Sequence, residues 1–390
     1  MLWERYVFRR GNEVHELWDG LFGSRNLRLL YIGGRGFDVR TQAAMRELVT
    51  SLQTAGRNLT FAKLLLVSFS DYELSADLRE LTENNAAALK ALFGPLGDSQ
   101  EITIGSSSNG EEEVSASVAL TVGLKQVLDL ANNYTDIILD VSSLPRVGYL
   151  AILTGLLDTL VPNKSLSTDG GSALQANNIN LQVLVAEDAN LDGNILAEDP
   201  SNDLVVVPGY SGIMHAESVK EWPVVWFPIL GENRVSQLQK IMTLAQIPAS
   251  AEICPVLPHP SRNPRRADDL LVEYTEPLFK SRRTPTTNIL HVNESQPFEA
   301  YRQLLEAMQR YQISLQILGG CRLLVTPLSS KLITLGAGLA CFEMKTANLE
   351  AGYGVTIPYA EPKRYVANVN ELVNSRPELA SLLLTGEAYA

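Results

Sequence analysis

Two stretches of this sequence set hydroxyls beside a cation at the end of an apolar run. One is Asp140-Val141-Ser142-Ser143-Leu144-Pro145-Arg146, and the other is Thr326-Pro327-Leu328-Ser329-Ser330-Lys331. A serine hydroxyl can cap a helix or bond a phosphate oxygen, and an arginine can hold such a group through two parallel hydrogen bonds. Where a strand ends and a helix begins, the helix adds unpaired N–H groups and the positive end of its dipole. Plain capping beside a solvated cation uses the same residues. The recurrence of the pattern weighs toward a pair of anion-binding turns.

A third turn, Gly33-Gly34-Arg35-Gly36-Phe37-Asp38-Val39-Arg40, follows the apolar run Leu27 to Ile32. Gly34 and Gly36 permit a tight turn or the close approach of a ligand to the backbone. No Gly-Lys-Ser/Thr follows, so this is not a Walker-type phosphate loop, and Val39 breaks a full G-x-G-x-x-G. Arg35 and Arg40 are candidate phosphate contacts. The alternative is a strand-to-helix turn capped by Asp38 or Thr41. Asp38, Asp71 and Asp140, with Glu73 nearby, are candidate catalytic acids. Converging at one sheet edge, they could hold Mg²⁺ for hydrolysis of a nucleotide or nucleic acid. Helix capping and solvation are their plainer uses.

Other chemistry is thin. His15, His215, His259 and His291 fall in no zinc-binding spacing, and neither a G-x-S-x-G elbow nor a kinase set is present. His259 precedes the one locally basic segment, Arg262, Arg265 and Arg266, which either receives an anion or forms an exposed Pro-rich loop. Cys254, Cys321 and Cys341 are too few for a disulfide scaffold and lie in apolar stretches. They read as buried, inert thiols in a reducing cytoplasm.

The elements that must carry these residues alternate. Strands are expected at 27–32, 62–69, 102–104, 137–141 and 180–186, with helices at 41–55, 76–93, 114–132 and 145–160 between them. Tyr6 to Phe8 reads as an edge strand, Val14 to Phe22 as a short helix, and 162–180 as a surface loop. A second alternating series has strands at 251–257, 288–292, 322–326 and 354–357, and helices at 234–245, 267–279, 297–312 and 329–346. Trp222 to Leu230, apolar with two prolines, reads as an edge strand or linker. Short apolar strands alternating with helices imply α/β architecture: two Rossmann-like units with mainly parallel sheets flanked by helices, residues 1–207 and 208–390.

Composition agrees. At 390 residues, 45% apolar and 19% charged, the chain is ordinary globular protein of two or three domains. Its net charge of −12 argues against a general duplex-DNA or anionic-membrane binder, though local cations still admit a small anion. Val147 to Val161 is the most apolar long stretch. It carries Asp158 and falls short of a bilayer span, so it reads as a buried helix. The N-terminus shows no signal-peptide pattern. A soluble, cytoplasmic protein is expected.

The two strand–turn–helix elements have Gly148 and Gly155 in one helix and Gly336 and Gly338 in the other. They resemble the strand–hydroxyl–basic–helix turn of CRISPR-associated Rossmann-fold sensor domains. Fused pairs of such units look like the cyclic-oligonucleotide sensor modules of bacterial antiphage systems. The resemblance covers most of residues 27–358, without the usual Thr-Gly-Gly-Thr-Lys form. Arg146 and Lys331 match its basic position, Ser142, Ser143, Ser329 and Ser330 match only its hydroxyl character, and the Gly33 to Arg40 turn has no assigned counterpart. The resemblance implies a nucleotide signal bound across the paired turns, a role in antiviral defence, and an effector or partner subunit. The residues themselves leave three functions open. One is a nucleotide- or phosphate-binding sensor or assembly subunit, and another a Mg²⁺-dependent hydrolase or nuclease. The third is an interaction subunit anchored through Trp222 to Phe227, a segment whose plainer use is a domain-core strand.

Overall fold

The computed structural model describes residues 1–23, 25–53, 58–70, 72–105, 116–161, 170–175, 177–188, 191, 193–211, 214, 216–345 and 351–389. The chain divides into two compact units, Met1–Leu196 with Arg364–Ala390, and Ala197–Lys363.

A seven-stranded sheet forms the first unit. Its strands are β1 (Val7–Arg10), β2 (Leu27–Gly34), β3 (Leu59–Phe69), β4 (Asp98–Ile104), β5 (Asp136–Asp140) and β6 (Asn180–Glu187), joined by the last strand of the chain, β13 (Glu378–Thr385). Five strands run parallel in the order β6-β5-β2-β3-β4. β13 pairs antiparallel with β6, and β1 antiparallel with β13. Leu29 to Ile32, Ile137 to Leu139 and Leu181 to Ala186 are buried along their whole length. Such runs need cover on both sheet faces, which the connecting helices supply.

Those helices are α1 (Glu13–Phe22), α2 (Arg40–Gln53), α3 (Ala76–Phe93), α4 (Ala116–Ala131) and α5 (Arg146–Leu160). α3 is the most locally specified. Ser75 caps it by accepting the Leu78 N–H at 3.3 Å, and Leu78, Thr82, Ala86, Leu89 and Phe93 form its buried face at helical spacing. α5 packs on α4 so closely that a Cβ on Gly155 would lie 2.9 Å from the Leu128 side chain. Part of the expected loop 162–180 is instead a short helix, α6 (Gly170–Gln175). A tertiary contact holds it, since the Leu174 carbonyl accepts the Gly386 N–H at 3.0 Å. Residues 162–169 lie outside the described residues.

The second unit repeats the plan with β7 (Val224–Ile229), β8 (Glu252–Ile253), β9 (Val256–Pro258), β10 (Leu290–Val292), β11 (Cys321–Pro327) and β12 (Tyr353–Thr356). Its helices are α7 (Val235–Leu244), α8 (Arg266–Glu273), α9 (Pro297–Leu315) and α10 (Lys331–Met344), while α11 (Val369–Asn374) belongs to the first unit. All strands of this sheet are parallel, in the order β10-β9-β7-β11-β12, with β8 also on β7.

Two expectations are corrected here. The segment Trp222 to Leu230 is neither an edge strand nor a linker nor an exposed anchor but a domain-core strand, its plainer use: β7 is central, and Trp226 and Phe227 are fully buried. Its proline is tolerated because the N–H it lacks points to the gap between β8 and β9. Trp226 O and Leu230 N bond Cys254 N and Val256 O on either side of that gap. The domain cut at residue 207 also fails for the tail. Leu382, Leu383 and Leu384 are all buried, and a strand apolar on both faces completes the first sheet rather than the second unit.

Counting the parallel strands of each unit in chain order, with β8 and β9 taken as one interrupted strand, both sheets read 3-2-1-4-5. This is the strand order of dinucleotide-binding folds, which place ligands where the order reverses, beyond the carboxyl ends of strands 1 and 4. Those strands are β2 and β5 in the first unit and β7 and β11 in the second.

Removing residues 364–390 deletes β13. Each fully buried leucine it carries contributes about 1.5–3 kcal/mol, and the loss approaches the total stability of a domain, about 5–15 kcal/mol. The truncated chain is expected to lose the cooperative unfolding of the first unit in a thermal melt followed by circular dichroism. An unchanged melt would contradict this topology.

Candidate functional site

Asp140, the last residue of β5, organises the reversal point of the first unit. It is fully buried, and four hydrogen bonds converge on its carboxylate. Oδ1 accepts the Ser142 N–H at 2.9 Å and the Ser142 hydroxyl at 2.5 Å. Oδ2 accepts the Tyr31 hydroxyl at 2.7 Å and the Thr41 hydroxyl. Ser142 Oγ in turn accepts the Ala186 N–H at 2.9 Å. One carboxylate therefore ties together β2, the first turn of α2, the β5–α5 turn and the end of β6. Burial pushes the Asp140 carboxyl above its ordinary range, against the hydrogen bonds that favour its charged form. Burial, and then the charge of Asp140, push the Tyr31 phenol well up.

The neighbouring glycine turn is held as tightly. Ser143 Oγ donates to the Gly34 carbonyl at 2.9 Å. A Cβ on Gly34 would stand 2.7 Å from Ser143 Oγ and 2.8 Å from its backbone. Asp38 clasps Arg40 through Nε–Oδ1 at 2.9 Å and Nη2–Oδ2 at 2.6 Å, with side chains only 7% and 1% exposed. Asp38 also accepts the Arg40 N–H at 3.2 Å, which opens α2. Asn85 of α3 braces the turn from below, donating to the Gly36 carbonyl at 2.7 Å and accepting from Gln42 at 2.8 Å.

These positions reassign the candidates. Asp38 and Asp140 are each committed to protein partners and do not offer a shared pair of oxygens to Mg²⁺; Asp71 lies outside the described residues. Arg40 is sealed against Asp38 and cannot reach a ligand. Ser142 and Ser143 spend their hydroxyls on joining strand ends. Arg35 follows β2 and Arg146 opens α5, while the Arg35 N–H donates to the Val67 carbonyl at 2.8 Å and Ser143 packs against Gly34 and Gly36. Arg35 pairs at the surface with Glu83 (2.6 Å) and Glu101 (3.5 Å), and Glu101 also holds Lys90 (2.7 Å). Such pairs contribute about 0–1 kcal/mol, so an anion can compete for the arginine. Arg146 is the first residue of α5, whose N-cap, Pro145, provides no side-chain cap.

At the second unit's reversal point, Lys331 likewise opens α10, and its N-cap Ser330 makes no side-chain cap bond. The Ser-Ser pairs are not equivalent. Ser142 and Ser143 sit early in the turn 141–145, whereas Ser329 and Ser330 end the shorter turn 328–330. Gly231 follows β7 as Gly34 ends β2, and a Cβ on it would lie 2.2 Å from the Leu328 carbonyl oxygen. The rest of this turn is acidic. Glu232 grips Arg266 through Nε (2.5 Å) and Nη2 (2.8 Å), Glu294 takes Arg266 Nη1, and Glu273 accepts the Asn233 N–H at 2.9 Å. Tyr274 donates to the Gly231 carbonyl at 2.7 Å. Burial raises Glu232, but the hydrogen bonds and charge of Arg266 outweigh it and leave its carboxyl below the ordinary value. Arg266 is thus the clasp of this turn and does not form one basic cluster with Arg262 and Arg265.

The remaining chemistry is inert. All three cysteines are buried, and burial pushes the Cys254 and Cys321 thiols up to about 11. His259 and His291 stack edge to face with ring centroids 5.7 Å apart, and His215 lies outside the described residues. Among the described residues no three His, Cys, Asp or Glu side chains gather as a metal site requires, and no helix is long and apolar enough to cross a membrane. No protein-family model and no curated protein matches this chain.

Sequence reasoning missed Tyr31 and Asn85, and took Thr41 only as a candidate cap. Asn85 leaves a readable trace, as a polar residue on the otherwise apolar face of α3. The Tyr31 and Thr41 bonds to Asp140 span 109 and 99 residues and leave none.

Asp140→Ala strands four donors in the core, and each buried unsatisfied group costs about 1–3 kcal/mol. Its unfolding free energy in urea should fall by more than about 3 kcal/mol, and Gly34→Ala should cost about 1–3 kcal/mol through overpacking. Because Glu232 titrates below its ordinary 4.5 in the folded state, its stabilisation is present above that pH and lost as pH falls. The melting-temperature difference between wild type and Arg266→Met should therefore be largest near neutrality and shrink below pH 4.5.

Proposed function

We propose that this chain binds a nucleotide- or phosphate-bearing ligand at the reversal point of its first sheet, and that it acts as a sensor or assembly subunit. One observation carries this reading. The 3-2-1-4-5 order brings the glycine turn and the opening of α5 side by side, with Arg146 as the helix's first residue. A phosphate there would meet backbone N–H groups, the positive end of a helix dipole and a guanidinium at once. The Asp140 network supports it by holding the site rigid before a ligand arrives, which lowers the ordering cost of binding. The second unit offers Lys331 in the matching place, but its acidic turn is less hospitable to an anion. A hydrolytic role for Asp38 and Asp140 is disfavoured by their burial and internal partners.

The resemblance to antiphage sensor modules extends the proposal to a cyclic or linear oligonucleotide signal, a cytoplasmic setting and an effector partner. Binding would shift a pre-existing equilibrium of the protein toward the ligand-competent state.

Calorimetric titration with mono-, di- and cyclic nucleotides and inorganic phosphate tests this. Binding is expected, weakened about tenfold or more in Arg146→Ala by loss of a charge-assisted contact, and less in Lys331→Ala. No binding at millimolar ligand, or identical affinity in Arg146→Ala, would refute it.

A further inference from the structure

The first unit holds a cavity of about 510 Å³ away from the reversal point, formed by residues 72–75, 78–79 and 364–367. That volume falls within the range of small-molecule sites, about 300–1,000 Å³. Its two walls are tied by a parallel bridge between Glu73 and Arg364. One part of the lining is aromatic. Tyr72 and Tyr365 meet edge to face with ring centroids 5.1 Å apart at 65°, and Phe37 backs Tyr365 at 5.9 Å. Both tyrosines are half-buried, so they are not sealed in the core. Leu78, fully packed in an apolar cluster with Leu372, lies beneath them.

The other part is cationic. Arg79 and Arg364 are both exposed and both line the cavity. Arg79 donates Nε–H to the Leu74 carbonyl at 3.0 Å, which orients its side chain. Among the described residues Glu73 is the one acid in the lining, so cations outnumber anions here in a chain of net charge −12. Tyrosine rings offer faces for stacking a flat ring, and guanidinium groups hold phosphate or carboxylate oxygens in pairs. Neither half of the lining suits a purely apolar or purely ionic ligand.

We propose that this cavity binds a planar aromatic ring bearing a negative charge, the chemistry of a nucleoside monophosphate. The ring stacks against Tyr72 and Tyr365, and the anionic group meets Arg79 and Arg364. The lining shares no residue with the Asp140 edge, so this site goes beyond the binding function proposed above and stands or falls separately.

Calorimetry of the full chain with AMP, adenosine and inorganic phosphate provides the test. AMP should bind, and adenosine and phosphate, each offering half of the recognition, should bind about tenfold or more weakly. This AMP binding should survive Arg146→Ala, fall about tenfold or more in Arg79→Met and in Tyr72→Leu, and persist in Tyr72→Phe, which keeps the ring. The altered residues are not fully buried, so circular dichroism should show native folding. Absence of AMP binding at millimolar ligand, or equal affinity in wild type and Arg79→Met, overturns the proposal. Loss in Arg146→Ala with no change in Arg79→Met overturns it too and leaves the reversal-point reading standing. The opposite pattern upholds the cavity; the reversal-point reading predicts a second binding event, kept in Arg79→Met and weakened in Arg146→Ala.

Discussion

A single buried carboxylate holds the carboxyl edge of the first sheet together. Asp140 receives bonds from Tyr31, Thr41 and Ser142, and through Ser142 it reaches Ala186. Burying that charge is costly unless every oxygen is satisfied. The four donors meet this demand, and in doing so they tie β2, the start of α2, the β5–α5 turn and the end of β6 to one another. The position of Arg146 at the head of α5, and of the Gly34–Gly36 backbone beside it, follows from that constraint.

The two units show how one strand order can carry different arrangements of charge. In each, a glycine after the first strand presses against the turn after the fourth, and a cation opens the following helix. The first unit sets Arg35, Arg40 and Arg146 at its turn, with Arg40 neutralised by Asp38 and Arg35 paired at the surface with Glu83 and Glu101. The second surrounds its turn with Glu232, Glu273 and Glu294, neutralised in part by Arg266. Backbone geometry is shared because the topology demands it; ligand preference is set by side chains the topology does not dictate.

Much of this architecture is legible in the amino-acid sequence. α3 matches its expected span from Ala76 to Phe93, since its cap, apolar spacing and terminal glycine all lie within one short window. The alternation of strands and helices identifies both α/β units. The central place of β7 is not legible, because Pro223 and Pro228 in and beside it mimic an edge strand and only the break between β8 and β9 makes room for Pro228. The site residues divide the same way. Arg146 and Lys331 stand out by their place at helix starts. Ser142, Ser143 and Arg40 look equally available in the sequence, yet each is consumed by a partner in the fold.

Caps, periodicity and turn residues act over a few positions, so the chain's local chemistry already dictates its elements, its α/β class and the short list of cations at strand ends. The strand order, the return of residues 364–390 to the first sheet, and the division of polar groups between the fold and a ligand arise only in the folded molecule. Those depend on pairings across more than a hundred residues, such as Tyr31 with Asp140 and β13 with β6, whose energies come from burial and hydrogen-bond satisfaction that no local pattern records.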